Sequence, residues 1–144
     1  MTRVYFEQEL QRLKDDLIVF GSMVSEAILD SVKALRERDV TTAEKIIRYD
    51  RVLNERRFNI EDRCLTLLAT QQPAARDLRL IAGVMEINIE LERMGDYAKG
   101  ISRIILMLGP ECTLRIPAEI QQMSDMGVSM LRRALDSFVN EDLD

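Results

Sequence analysis

The sequence predicts an all-α protein, in which an antiparallel bundle of three long helices is followed by one further helix. Apolar residues make up 47% of the 144 residues, and they recur at alternating spacings of three and four, as in amphipathic helices. The chain has only six Gly and three Pro, 5% aromatic residues and no Trp, a composition that disfavours a strand-rich sandwich or barrel. Few breaks interrupt the pattern. We therefore place the bundle at residues 1–110, and a linker with the fourth helix at residues 111–144.

The first helix is predicted from about Val4 to Arg38. Its apolar seam carries Phe6, Leu10, Leu13, Leu17, Phe20, Val24, Ala27, Ser31 and Ala34. This is the spacing of a helix that buries one stripe.

The second helix is predicted to begin after a break at residues 39–42. Thr41 and Glu44 have the spacing of a capping box, in which each side chain satisfies a free backbone donor of the other residue. Two charged residues, Asp50 and Arg57, lie on the seam of this helix. The other seam residues are Ala43, Ile46, Leu53, Ile60, Cys64 and Leu67.

The third helix is predicted to open at Pro73, because proline suits the first helical position. It ends at Gly109-Pro110, and its seam carries Leu80, Val84, Ile87, Leu91, Met94, Ala98, Ile101, Ile105 and Leu108. Pro117 opens the fourth helix, whose seam carries Ile120, Met123, Gly127, Leu131, Ala134 and Phe138.

The fourth helix repeats the first at an offset of 103 residues, which places Leu17 on Ile120, Leu35 on Phe138 and Asp39-Val40 on Asp142-Leu143. Such self-similarity is typical of an internal repeat. We interpret residues 111–144 as the start of a second, incomplete unit, and the chain as a piece of a protein of roughly twice this length.

Composition excludes several function classes. The chain has no His, which removes Ser-His-Asp and Cys-His catalysis and zinc sites with His ligands. The net charge of −5 without a basic block argues against nucleic-acid binding. The start has no signal-peptide pattern, and the longest apolar run, Ile104–Leu108, is too short to span a bilayer. With two distant cysteines, a reduced cytosolic setting is the simpler interpretation.

A polar strip on the third helix is the candidate for chemistry. Asn88, Glu92 and Asp96 follow one another at intervals of four, and Asp50 and Asn54 have the same spacing on the second helix. Crowded carboxylates at a half-buried edge need a compensating cation. An all-oxygen ligand set suits Mg²⁺, Mn²⁺ or iron. The alternative is that Arg56, Arg57 or Arg93 forms salt bridges with these carboxylates.

The stretch from Asp50 to Ile101 resembles the PhoU family of phosphate-signalling regulators, most specifically in LLATQQPAARDLRLI and LERMGDYA. The resemblance implies a cytoplasmic, non-enzymatic, all-helical protein that restrains the phosphate-starvation response and phosphate uptake. It further implies an adaptor between the ATPase subunit of the phosphate ABC transporter and a sensor histidine kinase. Such a protein would reach the membrane only through these partners.

The resemblance also implies a metal site. Family members carry an acidic pair in each repeat, which some use to bind multinuclear iron or zinc clusters. Glu92 and Asp96 match that pair, and Asp50 with Asn54 match the facing positions. Many relatives have Asp where this chain has Asn54, a departure that weakens or alters the predicted site.

Two other functions compete with this interpretation. A di-iron carboxylate enzyme needs Glu-x-x-His pairs, which a chain without His cannot supply. A metal-free structural or oligomerising helical module remains the alternative. Because the fourth helix lacks the rest of its unit, we also expect self-association through it, as a homodimer or by helix exchange.

Overall fold

The computed structural model describes residues 2–141, which form four helices. These are α1 (Arg3–Glu37), α2 (Val40–Gln71), α3 (Ala75–Leu108) and α4 (Ala118–Val139). No β-strand occurs between residues 2 and 141, and the predicted all-α class is confirmed. Residues 142–144 of the predicted second unit, including the Asp142-Leu143 match, lie outside the described range.

Two helix starts differ from the sequence prediction. Asp39 caps α2, because its carboxylate accepts a hydrogen bond from the Thr42 backbone N–H at 3.0 Å and another from the Thr42 hydroxyl at 2.6 Å. The predicted Thr41 and Glu44 capping box is therefore wrong, and both residues lie inside the helix. Hydrogen bonding to the charged form lowers the pKa of Asp39. Pro73 precedes α3 instead of opening it, since the helix begins at Ala75.

The first three helices bury their stripes against one another. All nine residues of the predicted α1 seam are buried, and so are seven of the eight on α2, Arg57 being half-buried. On α3 the buried line is rotated slightly from the prediction, so that it includes Ile81, Asn88 and Ser102. Ion pairs also cross between the helices, where Arg63 of α2 meets Glu9 and Asp16 of α1.

The fourth helix lies antiparallel to α1 and packs on it. Leu135 is 5% exposed and sits over Gly21, where a β-carbon would overlap its Cδ1 atom. Phe138 lies on α3 at Gly83, 2.9 Å from where a β-carbon would be. The small residues on α1 and α3 thus provide the space in which α4 docks.

The buried face of α4 is rotated from the predicted seam, of which Leu131 and Phe138 still pack against the core. Ser124, Val128 and Leu135 are buried, whereas Met123 of the predicted seam is 68% exposed. Met126 and Met130 are also exposed, at 65% and 66%. The docked helix therefore keeps a methionine-rich face toward solvent.

The predicted internal repeat relates positions of α1 to positions of α4 at their contact. The offset of 103 residues aligns Gly21 with Ser124 and Val32 with Leu135. Both counterparts are buried. A helix pair related by an approximate two-fold axis requires this exchange of positions.

None of the helices in the described range has the length and hydropathy needed to cross a membrane. Cys64 and Cys112 form no disulfide, and burial raises the pKa of the Cys64 thiol to about 11.

We predict that Gly21→Leu releases α4 from the bundle, because the larger side chain collides with Leu135. Overpacking of this kind costs about 2 kcal/mol. Limited proteolysis of the 109–117 connection should become faster while the helical circular dichroism of the three-helix bundle is retained.

The control for this variant is Gly100→Leu, since a β-carbon at Gly100 meets no atom within 4 Å. Equal cleavage rates for the two variants would show that docking of α4 does not depend on Gly21.

Candidate functional site at the seam between the second and third helices

A buried carboxylate marks the centre of the seam between α2 and α3. Asp50 replaces an apolar residue on the core line of α2 and is 5% exposed. It accepts hydrogen bonds from Lys99 Nζ at 3.1 Å and from Asn54 Nδ2 at 3.3 Å. The predicted pair on α2 is thus brought together, and the buried charge is compensated by an ammonium group from α3.

A second ion pair crosses the same seam two turns along α2. Arg57 Nε lies 2.8 Å from Glu92 Oε2, and Arg57 Nη1 lies 3.2 Å from Glu61 Oε2. The guanidinium carbon also lies 4.3 Å from the centre of the Phe58 ring, a cation–π distance. Arg57 is one of the salt-bridge partners that the sequence allowed as the alternative to a metal.

Two amide oxygens at the seam are buried without a donor in the described part of the chain. Asn88 is 1% exposed and donates from Nδ2 to the Arg57 carbonyl at 2.9 Å, but its Oδ1 accepts no hydrogen bond. The Oδ1 of Asn54 is likewise unsatisfied. Such oxygens can accept a hydrogen bond or coordinate a cation.

Asp96 differs from the other predicted ligands because it is exposed. Within residues 2–141, no three Cys, Asp or Glu side chains come close enough to hold a metal ion. Metal binding by Glu92, Asp96, Asp50 and Asn54 stays a prediction. The donor types fit a hard cation, but the ion would have to displace Lys99 from Asp50 and Arg57 from Glu92.

Sequence reasoning missed Lys99 as the partner of Asp50. The strip that begins at Asn88 and passes through Glu92 and Asp96 reaches Lys99 one helical turn later. Following the strip by that further turn would have placed a cation beside the carboxylates.

Comparison with known proteins shows which family has this architecture. The family model of the PhoU domain matches residues 17–105. A Clostridium acetobutylicum protein named phosphate-specific transport system accessory protein PhoU homolog is 38% identical over 145 residues, which cover 100% of this chain and 66% of the relative. A Pseudomonas putida protein of the same name is 36% identical over 96% of this chain and 55% of its own length.

Solved structures give the same result. The crystal structure of PhoU from Pseudomonas aeruginosa has a TM-score of 0.87 at 33% identity, covering 95% of this chain and 66% of that one. The phosphate transport system regulatory protein PhoU from Streptococcus pneumoniae has a TM-score of 0.83 at 34% identity, covering 92% and 62%. The chain therefore spans less than two thirds of the length of most of these relatives.

We predict that Lys99→Met destabilises the protein by about 3 kcal/mol, because it leaves Asp50 buried without a cation. Urea unfolding followed by circular dichroism measures this loss. Adding Asp50→Asn should recover most of it, since the uncompensated charge is then gone.

The control is Arg51→Met, which removes a cation from an exposed pair with Glu55. Exposed pairs contribute about 0–1 kcal/mol. A Lys99→Met variant as stable as this control would contradict a stabilising role for the buried pair.

Proposed function

The chain belongs to the PhoU family, and on that basis we propose that it is an accessory protein of a phosphate-specific transport system. In this proposal it restrains phosphate uptake and represses the phosphate-starvation response. The observation that carries the proposal is the shared name of relatives that match nearly the whole chain at more than a third identity. A regulatory role without catalysis agrees with a sequence that has no His.

The mechanism we propose is that of an adaptor. The partners are the ATPase subunit of the phosphate ABC transporter and a sensor histidine kinase, both reached from the cytoplasm. The rigid helices offer long polar faces for such contacts. On α3, the outward residues Glu86, Glu90, Arg93 and Tyr97 are all exposed.

The metal site is the second part of the proposal. We propose that the seam strip binds iron or zinc, or Mg²⁺ or Mn²⁺ in their place, through Glu92 and Asp96 with support from Asp50 and Asn54. The unsatisfied oxygens of Asn54 and Asn88 favour an added cation. The ion pairs of Asp50 and Glu92 favour the second candidate, a metal-free structural module.

Self-association is the third part, with a second copy of this chain as the occupant of the groove between α3 and α4. That groove is lined mainly by apolar residues, with Glu86 and Glu90 from α3 among them. A second α4 would bring its exposed methionines to the groove and its Arg133 toward these glutamates.

Light scattering should give a dimer that Met130→Glu dissociates, whereas a wild-type monomer at high concentration would refute this assembly.

We predict that this chain lowers phosphate uptake and the activity of a starvation-responsive reporter in a Pseudomonas aeruginosa strain lacking its own PhoU relative. Leu17→Asp, which places a carboxylate in the fully buried core, is the inactive control. If the wild-type chain accumulates but changes neither readout, this chain does not perform the proposed regulation.

Co-purification with the transporter ATPase subunit tests the adaptor role separately.

For the metal site, we expect near-stoichiometric iron or zinc in protein purified without an affinity tag, and its loss in Glu92→Gln with Asp96→Asn. Elemental analysis measures the content. Glu86→Gln with Glu90→Gln is the matched control, because it changes an acidic pair of the same spacing on the outward face of α3. Absence of metal from the wild type would favour the metal-free module.

A further inference from the structure

We propose that a cavity at the end of α1 binds a phosphate-bearing anion. The cavity has a volume of about 380 Å³ and lies between the last turns of α1 and the segment that leads into α4. Its lining consists of Lys33, Arg36, Glu37, Arg38, Leu114, Arg115 and Ile116. The site is separate from the seam between α2 and α3.

The charge of the cavity is opposite to that of the protein. Four cationic side chains face one carboxylate, Glu37, in a chain whose net charge is −5. Lys33, Arg36, Arg38 and Arg115 form no ion pair of 4 Å or less with a carboxylate in the described range, whereas several other Lys and Arg side chains do. Their charge is available to a ligand.

One of the three guanidinium groups is held in place. Arg38 lies in the left-handed region at φ 56° and is half-buried. Its Nη1 donates to the Leu35 carbonyl at 2.8 Å, and its Nε donates to the Cys112 carbonyl at 3.1 Å. The first of these bonds covers a carbonyl at the negative end of the α1 dipole, which would otherwise repel an anion. The Nη2 group makes no hydrogen bond to residues 2–141 and remains able to donate.

The geometry also connects the cavity to α4. Arg36 Nη1 donates to Gln121 Oε1 of α4 at 3.3 Å, and Arg38 holds the connecting segment at Cys112. An anion bound between Arg36, Arg38 and Arg115 would therefore bridge α1 and the segment that positions α4.

Phosphate is the group that this donor set favours. Arginine presents paired N–H groups that match phosphate oxygens, and such charge-assisted bonds are stronger than neutral ones. The cavity has room for more than a single phosphate group, and Leu114 and Ile116 give it an apolar side. Inorganic phosphate and nucleotide phosphates share the required chemistry. The inference rests on charge and shape, independently of the proposed transport role.

The test is a titration of the ¹⁵N-labelled protein with sodium phosphate, pyrophosphate or ATP at constant ionic strength, followed by amide chemical shifts. We expect saturable shifts confined to residues 33–38 and 112–116. Arg36→Gln with Arg115→Gln should weaken binding at least tenfold. Saturation by phosphate assigns the site to the free ion, and saturation by ATP alone assigns it to nucleotide phosphates.

Arg51→Gln with Arg79→Gln is the matched control. It removes the same charge from exposed positions of α2 and α3 that do not line the cavity. If both double variants weaken anion binding equally, the effect is general charge screening and the proposal is overturned. Amide shifts that grow without saturation for every anion would overturn it as well. Neither result depends on phosphate uptake in cells.

Discussion

The structure depends on α1 being buried from two sides. One face carries the large apolar residues, including Leu17, Phe20 and Val24, which are fully buried against α2 and α3. The other face carries Gly21, a small residue that lets Leu135 of α4 approach closely. Burial of apolar area is the main favourable term in folding, so a helix that contributes to two interfaces fixes the position of every other helix. The connecting turns need only be short.

The seam between α2 and α3 adds specificity to this apolar framework. A buried ion pair contributes little net stability, because desolvation offsets the attraction, but an unpaired charge in the same place is costly. The pairs of Asp50 with Lys99 and of Glu92 with Arg57 therefore penalise any sliding of one helix along the other. A cation that competed for these carboxylates would have to release Lys99 and Arg57, and metal binding would then be coupled to the charge exposed on this side of the bundle.

Helical periodicity predicted the elements and the core of the first three helices, because the spacing of apolar residues determines which face of each helix is buried. It did not predict which neighbour each face meets. The predicted α4 seam contains Met123 and Ala134, both exposed, while Ser124 and Val128 are buried. The apolar pattern of α4 resembles the core face of α1, but the buried line of α4 is rotated from that seam, while Leu131 and Phe138 of the seam still pack against the core. For the site, Asp50 was recognisable as a buried carboxylate. That Lys99 is its partner follows only from the relative positions of α2 and α3.

The predicted repeat of α1 in α4 has an evolutionary consequence. Positions 21 and 135 exchange with 124 and 32 under the predicted repeat offset, and all four are buried. Two identical helices would satisfy this rule equally well, as in an isologous homodimer. The pairing is therefore available to a single ancestral three-helix unit before any gene duplication. Fusion of two copies would convert an interface between chains into one within a chain, after which the halves could diverge at positions such as 21 and 124.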